Sequence, residues 1–85
     1  MIEKPANSAS VESVEAAIEV FIDTLQSDAN NYVSAPLDGE PSPEQLKEIR
    51  REIRNAVQLD ALIGFFYNRA TARWELGVIN ATPVL

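Results

Sequence analysis

The chain has 85 residues, seven basic against thirteen acidic, a net charge of −6, and neither cysteine nor histidine. One small domain is expected, burying about 60–65% of its unfolded surface and modest in stability unless it associates. The inventory excludes disulfides, thiolate nucleophiles and zinc–sulfur sites, and it removes the usual general base and the commonest metal ligand, so an enzyme is not expected.

The charges are unevenly spread: residues 1–40 hold eight acids and one lysine, whereas residues 41–85 hold five acids and six basic residues. An acidic chain is a poor ligand for nucleic acid or for an anionic membrane surface. Residues 1–5 lack the basic-then-apolar order of a secretory signal. The most apolar run, residues 59–67, is interrupted by Asp60 and falls short of the about 20 residues that cross a bilayer. A cytoplasmic protein is expected, with no membrane and no nucleic acid among its partners.

Residues 1–9, with Pro5, Asn7 and Ser8 among small neighbours, read as a disordered lead-in. Ser10 is a suitable N-cap, and Glu12 and Glu15 stand in the first turns, where carboxylates suit the helix dipole. Val11, Val14, Ile18, Phe21, Ile22, Leu25, Ala29 and Tyr32 then keep the spacing of one helix face, which predicts helix 1 over residues 11–31. Glu12, Glu15, Glu19 and Asp23 gather on one flank of that stripe. They form either a solvated edge or an edge that meets basic residues beside a helix–helix seam. Residues 33–41, with Pro36, Pro41 and an Asp38-Gly39 step, form the connection.

Residues 42–77 carry the strongest local signals. Ser42 is the N-cap, Pro43 occupies N1, Gln45 can complete a capping box, and Pro41 and Leu46 suit a hydrophobic staple. Leu46, Ile49, Ile53, Ala56, Val57, Asp60, Ile63, Tyr67, Ala70 and Trp74 extend a stripe over about 30 residues. The pattern predicts a long helix 2 over residues 43–76, stopped by Gly77. Lys47, Arg50, Arg51 and Arg54 lie on one flank, interleaved with Glu44, Glu48 and Glu52 and without an aromatic, which does not make a nucleic-acid patch. Leu59, Leu62, Phe65 and Phe66 project opposite the stripe, so this part of the helix is apolar nearly all round and needs burial on more than one side. Gly64 there marks either close packing or a kink. Asp60, on the stripe, is either ion-paired, register-fixing or still reached by water. Residues 78–85 are an apolar tail, docked or disordered.

No phosphate-binding glycine loop is present, and a carboxylate di-metal bundle would need a Glu-x-x-His pattern. No cofactor and no metal are expected. Leu46-x-x-Ile49-Arg50-x-x-Ile53, with Arg69 and Arg73 beyond, resembles the first helix of the small all-helical chorismate mutases, which bind a dicarboxylate with arginines. The departures are large, since that helix comes second here and too few residues follow it for two more. The resemblance rests on a helical period and assigns no function.

The expected fold is therefore all-α: an antiparallel helical hairpin, completed as a helical bundle by self-association into a homodimer or higher oligomer. The expected function is that of a noncatalytic protein–protein interaction or assembly module. Leu59, Leu62, Phe65, Phe66, Tyr67 and Trp74 are its candidate buried anchors, with Arg69 and Arg73 at the rim, following the preference of interfaces for aromatics and arginine. The alternative is a small acidic inhibitor or accessory subunit that binds a basic surface of a larger protein, resting on the Glu12, Glu15, Glu19, Asp23 edge.

Overall fold

A computed structural model describes residues 8–27 and 33–84. The elements run α1 (Val11–Ser27), β1 (Val33–Leu37), α2 (Pro43–Val57), β2 (Leu59–Asn68) and β3 (Arg73–Pro83). The strands form an antiparallel sheet in the order β1-β3-β2. This is an α/β fold with 39% strand, so the all-α helical hairpin and the helical bundle built from it are incorrect.

The two helix starts follow their local signals, whereas Val33–Leu37 of the expected connection form strand β1 and Ala9 of the expected lead-in is buried. Ser10 caps α1: its Oγ accepts the Ser13 N–H at 3.1 Å and its carbonyl accepts the Val14 N–H at 3.1 Å. Residues 28–31 of the expected helix 1, Tyr32 beyond it, and residues 1–7 of the expected lead-in lie outside the described residues. At α2 the reciprocal capping box forms, with Gln45 N–H donating to Ser42 Oγ at 3.1 Å and Ser42 N–H donating to Gln45 Oε1 at 2.8 Å. Gln45 Nε2 also donates to the Ala9 carbonyl at 2.8 Å, which ties the entry of α1 to the start of α2.

Helix α2 ends at Val57, far short of residue 76. Gln58 adopts φ 59°, ψ 42° and donates its backbone N–H to the Arg54 carbonyl at 2.9 Å, the left-handed cap that usually falls to glycine or asparagine. A side chain in that conformation costs about 1–2 kcal/mol. The chain accepts it because the next residues gain a sheet: Leu59, Ala61, Ile63, Phe65 and Tyr67 alternate onto one face, and Leu62, Gly64 and Phe66 onto the other. Residues that look apolar all round on a helical wheel are a strand with two apolar faces. Gly64 is not a helix kink, and Gly77 is not a helix stop; they face one another across the β2–β3 pair. Residues 78–83 of the expected tail belong to β3, which pairs on both sides.

Both helices lie on one face of the sheet, α1 against β1, α2 against β2, and each against the other. There Phe21, Val14, Ile49 and Ile53 meet Trp74, Leu76 and Val78 of the central strand and Val33, Ala35 and Leu37 of β1. Among the described residues no helix covers the opposite face.

Replacing Gln58 by glycine should raise the unfolding free energy by about 0.5–1 kcal/mol, because glycine meets positive φ without the steric cost of a Cβ. A thermal melt should read this as a rise of a few degrees. In a helix running through residue 58 the same change would lower stability by about 1 kcal/mol, so the sign of the shift tests the break.

Candidate interaction surface

The β2–β3 hairpin carries all eight residues named as candidate partner contacts, and the sheet sorts them into three groups. Leu59 and Trp74 are buried on the inner face beneath the helices. Tyr67 is half-buried on that face, and Phe65 lies there too but is 39% exposed. Trp74 holds these two rings, 5.6 Å from Tyr67 in an edge-on arrangement and 5.9 Å from Phe65 in a tilted one. Leu62 and Phe66 project from the outer face, 59% and 52% exposed. Arg69 opens the turn and Arg73 begins β3, both exposed. Leu59 and Trp74 are thus anchors of the chain's own core, and neither is available to a partner.

One outer-face residue escapes helical reasoning. β3 contains a bulge opposite the Leu62–Ile63 step, where Asn80 pairs with Leu62 and Val78 with Ile63, leaving Ile79 as the extra residue. Ile79 is 61% exposed and lies over Gly64, where a Cβ would stand 2.8 Å from Ile79 Cδ1. Gly64 is therefore a seat for Ile79. Leu62, Phe66 and Ile79 form an apolar patch on the bare side of the hairpin, between Asp60 and Thr82 at one end and Asn68 and Arg73 at the other, with Glu75 beside them accepting from Asn68 Nδ2 at 2.5 Å.

Among the described residues the sheet has two free edges of unequal character. Val84 N–H donates to the Gln58 carbonyl at 3.1 Å, and Pro83, which faces Leu59, has no N–H to give. Strand alternation then turns the backbone groups of even-numbered β2 residues toward β3, and those of Ala61, Ile63, Phe65 and Tyr67 outward. β1 has five residues, and Pro36, opposite Glu75, occupies an outward position without a donor. β2 has ten residues and no proline.

The acidic flank of α1 does not meet the basic flank of α2. Glu12, Glu15 and Glu19 line an open groove of about 560 Å³ together with Glu48 and Glu52 of α2. Among the described residues the ion pairs are Arg51–Glu48 and Arg54–Asp60, each at 3.8 Å, and neither joins the helices. Asp60 stands exposed on the outer face of β2, within reach of Arg54 and water.

A second polar cluster closes the α1 end of the sheet. Asp38 accepts the Ser10 N–H at 2.8 Å and the Ser10 hydroxyl at 2.6 Å, while its own N–H donates to Ser13 Oγ at 3.1 Å. The Ser10 hydroxyl, followed by the Ser10 N–H, holds the Asp38 carboxyl below its ordinary value of 3.8. Nearby, Ser13, Leu37, Asp38, Tyr67, Arg73 and Trp74 border a shallow cavity of about 390 Å³. No group of three or more acidic residues is arranged to hold a metal ion among the described residues, and no described helix is long and apolar enough to cross a membrane.

Comparison of the chain with protein-family models, curated proteins and solved structures gives no match.

The depressed Asp38 pKa sets a pH dependence. A carboxyl whose folded pKa lies below its unfolded one contributes stability that is present above the unfolded value and lost as pH falls through the folded value. Asp38→Asn should therefore lower the melting temperature at neutral pH, and the gap from the unsubstituted chain should close as the pH falls below 3.8. Melts of the two proteins across the acid range read this directly.

Proposed function

We propose that this chain is a noncatalytic interaction module, acting in the cytoplasm, that assembles with copies of itself through the β2–β3 hairpin. The observation that carries the reading is the outer face of that hairpin, where Leu62, Phe66 and Ile79 stand more than half exposed with no helix of the described residues above them. Apolar side chains grouped on one uncovered face are a common mark of a protein–protein interface. Phe65, partly uncovered on the inner face, and Arg69 and Arg73 at the hairpin's end supply the aromatic and arginine character that interfaces favour. A small domain with one helical layer also has a stability motive for association.

Phe66→Asp places a charge on this face without touching the core, so it should remove association while leaving the melting transition of the monomer. Arg51→Ala, at an exposed pair on α2, should change neither. Sedimentation of the unsubstituted chain should give a mass that rises with concentration and is largely insensitive to salt. Equal behaviour of the two variants would displace the interface from this face.

The acidic groove favours a second reading of another class, a small inhibitor or accessory subunit that occupies a basic surface of a larger protein. Five glutamates of two helices border one opening, which complements an arginine- or lysine-rich segment. Under this reading the chain is monomeric alone, and it binds an arginine-rich peptide with an affinity that falls steeply with salt. Glu48→Lys with Glu52→Lys should abolish that binding. A chain that self-associates and ignores the peptide at low salt rules the second reading out.

A further inference from the structure

Resting on the self-association reading above, we infer that two copies join edge to edge through β2, antiparallel about a twofold axis at Gly64, so that two three-stranded sheets become one continuous sheet. The outward backbone groups of Ala61, Ile63, Phe65 and Tyr67 form a template for another strand, since the donors and acceptors along an open edge match those of a second antiparallel ladder. The other edge is shorter and carries Pro36 at an outward position, which leaves β2 as the edge able to pair over its whole length.

Register follows from which residues must face each other. In an antiparallel twofold pair the outward residues must oppose one another, so odd-numbered residues face odd-numbered ones. Centring on Gly64 sets Ile63 against Phe65 of the second copy and Ala61 against its Tyr67. On the outer face the same register sets Leu62 against Phe66 of the second copy and Gly64 against its own equivalent. Apolar residues then meet apolar residues on both faces, and Leu62, Phe66 and Ile79 of the two copies form one cluster. Glycine at the axis leaves room there for both Ile79 side chains, each already seated over its own Gly64.

The ends of the strand agree with that centre. Asp60 falls opposite Asn68 of the second copy, whose neighbours are Arg69 in the turn and Arg73 across the β2–β3 pair. An acidic residue at one end and arginines at the other are self-complementary only when the strands run antiparallel with their ends matched. A shift of the axis by a residue or more moves Asp60 away from Asn68 and sets Leu62 against a residue other than Phe66.

The chain has no cysteine, so introduced thiols report the register cleanly. Leu62 and Phe66 of the second copy would form a non-hydrogen-bonded pair with Cα atoms about 4.5 Å apart, within the about 4.4–6.8 Å that a disulfide spans. Two Leu62 residues, or two Phe66 residues, would lie about 14 Å apart along the strands. A mixture of the single variants Leu62→Cys and Phe66→Cys, oxidised mildly, should give a covalent dimer of doubled mass on a nonreducing gel, and each variant alone should stay at the mass of one chain. Oxidation traps even a weakened complex, so loss of one apolar contact does not hide the result. If the unsubstituted chain sediments as a dimer but the mixture fails to cross-link, or either variant cross-links by itself, the register is overturned and the self-association reading stands. If the unsubstituted chain remains a monomer at every concentration, both fall.

Discussion

The structure depends on the position of β3 between its two neighbours. The strand pairs with β1 along one side and with β2 along the other, so it holds directly the two strands on which α1 and α2 pack. Trp74, Leu76 and Val78 alternate into the helical layer, and Leu76 is completely buried. Because β3 follows the other described elements in chain order, both pairings of the sheet need the strand that comes after both helices and both other strands. The contact of greatest sequence separation in the sheet, Val33 against Val78, is also the one that fixes β1.

That dependence explains which parts could be read from the sequence. The start of α2 is written locally, in Ser42, Pro43 and Gln45, and the capping box forms as those residues imply. Helix α1 is equally local, in its Ser10 cap and one-sided stripe. The end of α2 is not local. Gln58 carries no stop signal of the glycine or proline kind, and its left-handed conformation is imposed by the pairing that follows. Between residues 59 and 74 enough positions are apolar to satisfy a helical period and a period of two together, and the strand settles the matter by burying Leu59 and Ala61 while exposing Asp60 and Leu62. The aromatic and β-branched content of that run, followed by an Asn68-to-Thr71 turn, was the available signal against a helix.

All eight candidate residues fall on the hairpin of 59–68 and 73–83, but its inner face, outer face and turn divide them, where a helix would have stacked them. What changes is the division between core and surface. On a helix Trp74 and Phe66 would both be partners' contacts; on the sheet Trp74 belongs to the chain's own core and Phe66 faces outward. Ile79 was missed because its exposure depends on a bulge, a feature that exists only in a paired strand.

Among the described residues a single helical layer over the sheet leaves two kinds of unfinished surface, a bare face and free edges, and the two edges differ. At β1 the strand is short and Pro36 stands outward, which withholds a donor from any incoming strand. At β2 none of these protections is present, and the side chains flanking the open backbone are apolar on both faces. Charge is confined to the ends, Asp60 at one and Arg69 and Arg73 at the other. An edge protected only at its ends discourages misaligned pairing while leaving the middle free, because a slipped strand would bring those charges against apolar residues. The same distribution that keeps such an edge from unregulated stacking therefore favours one register over the rest.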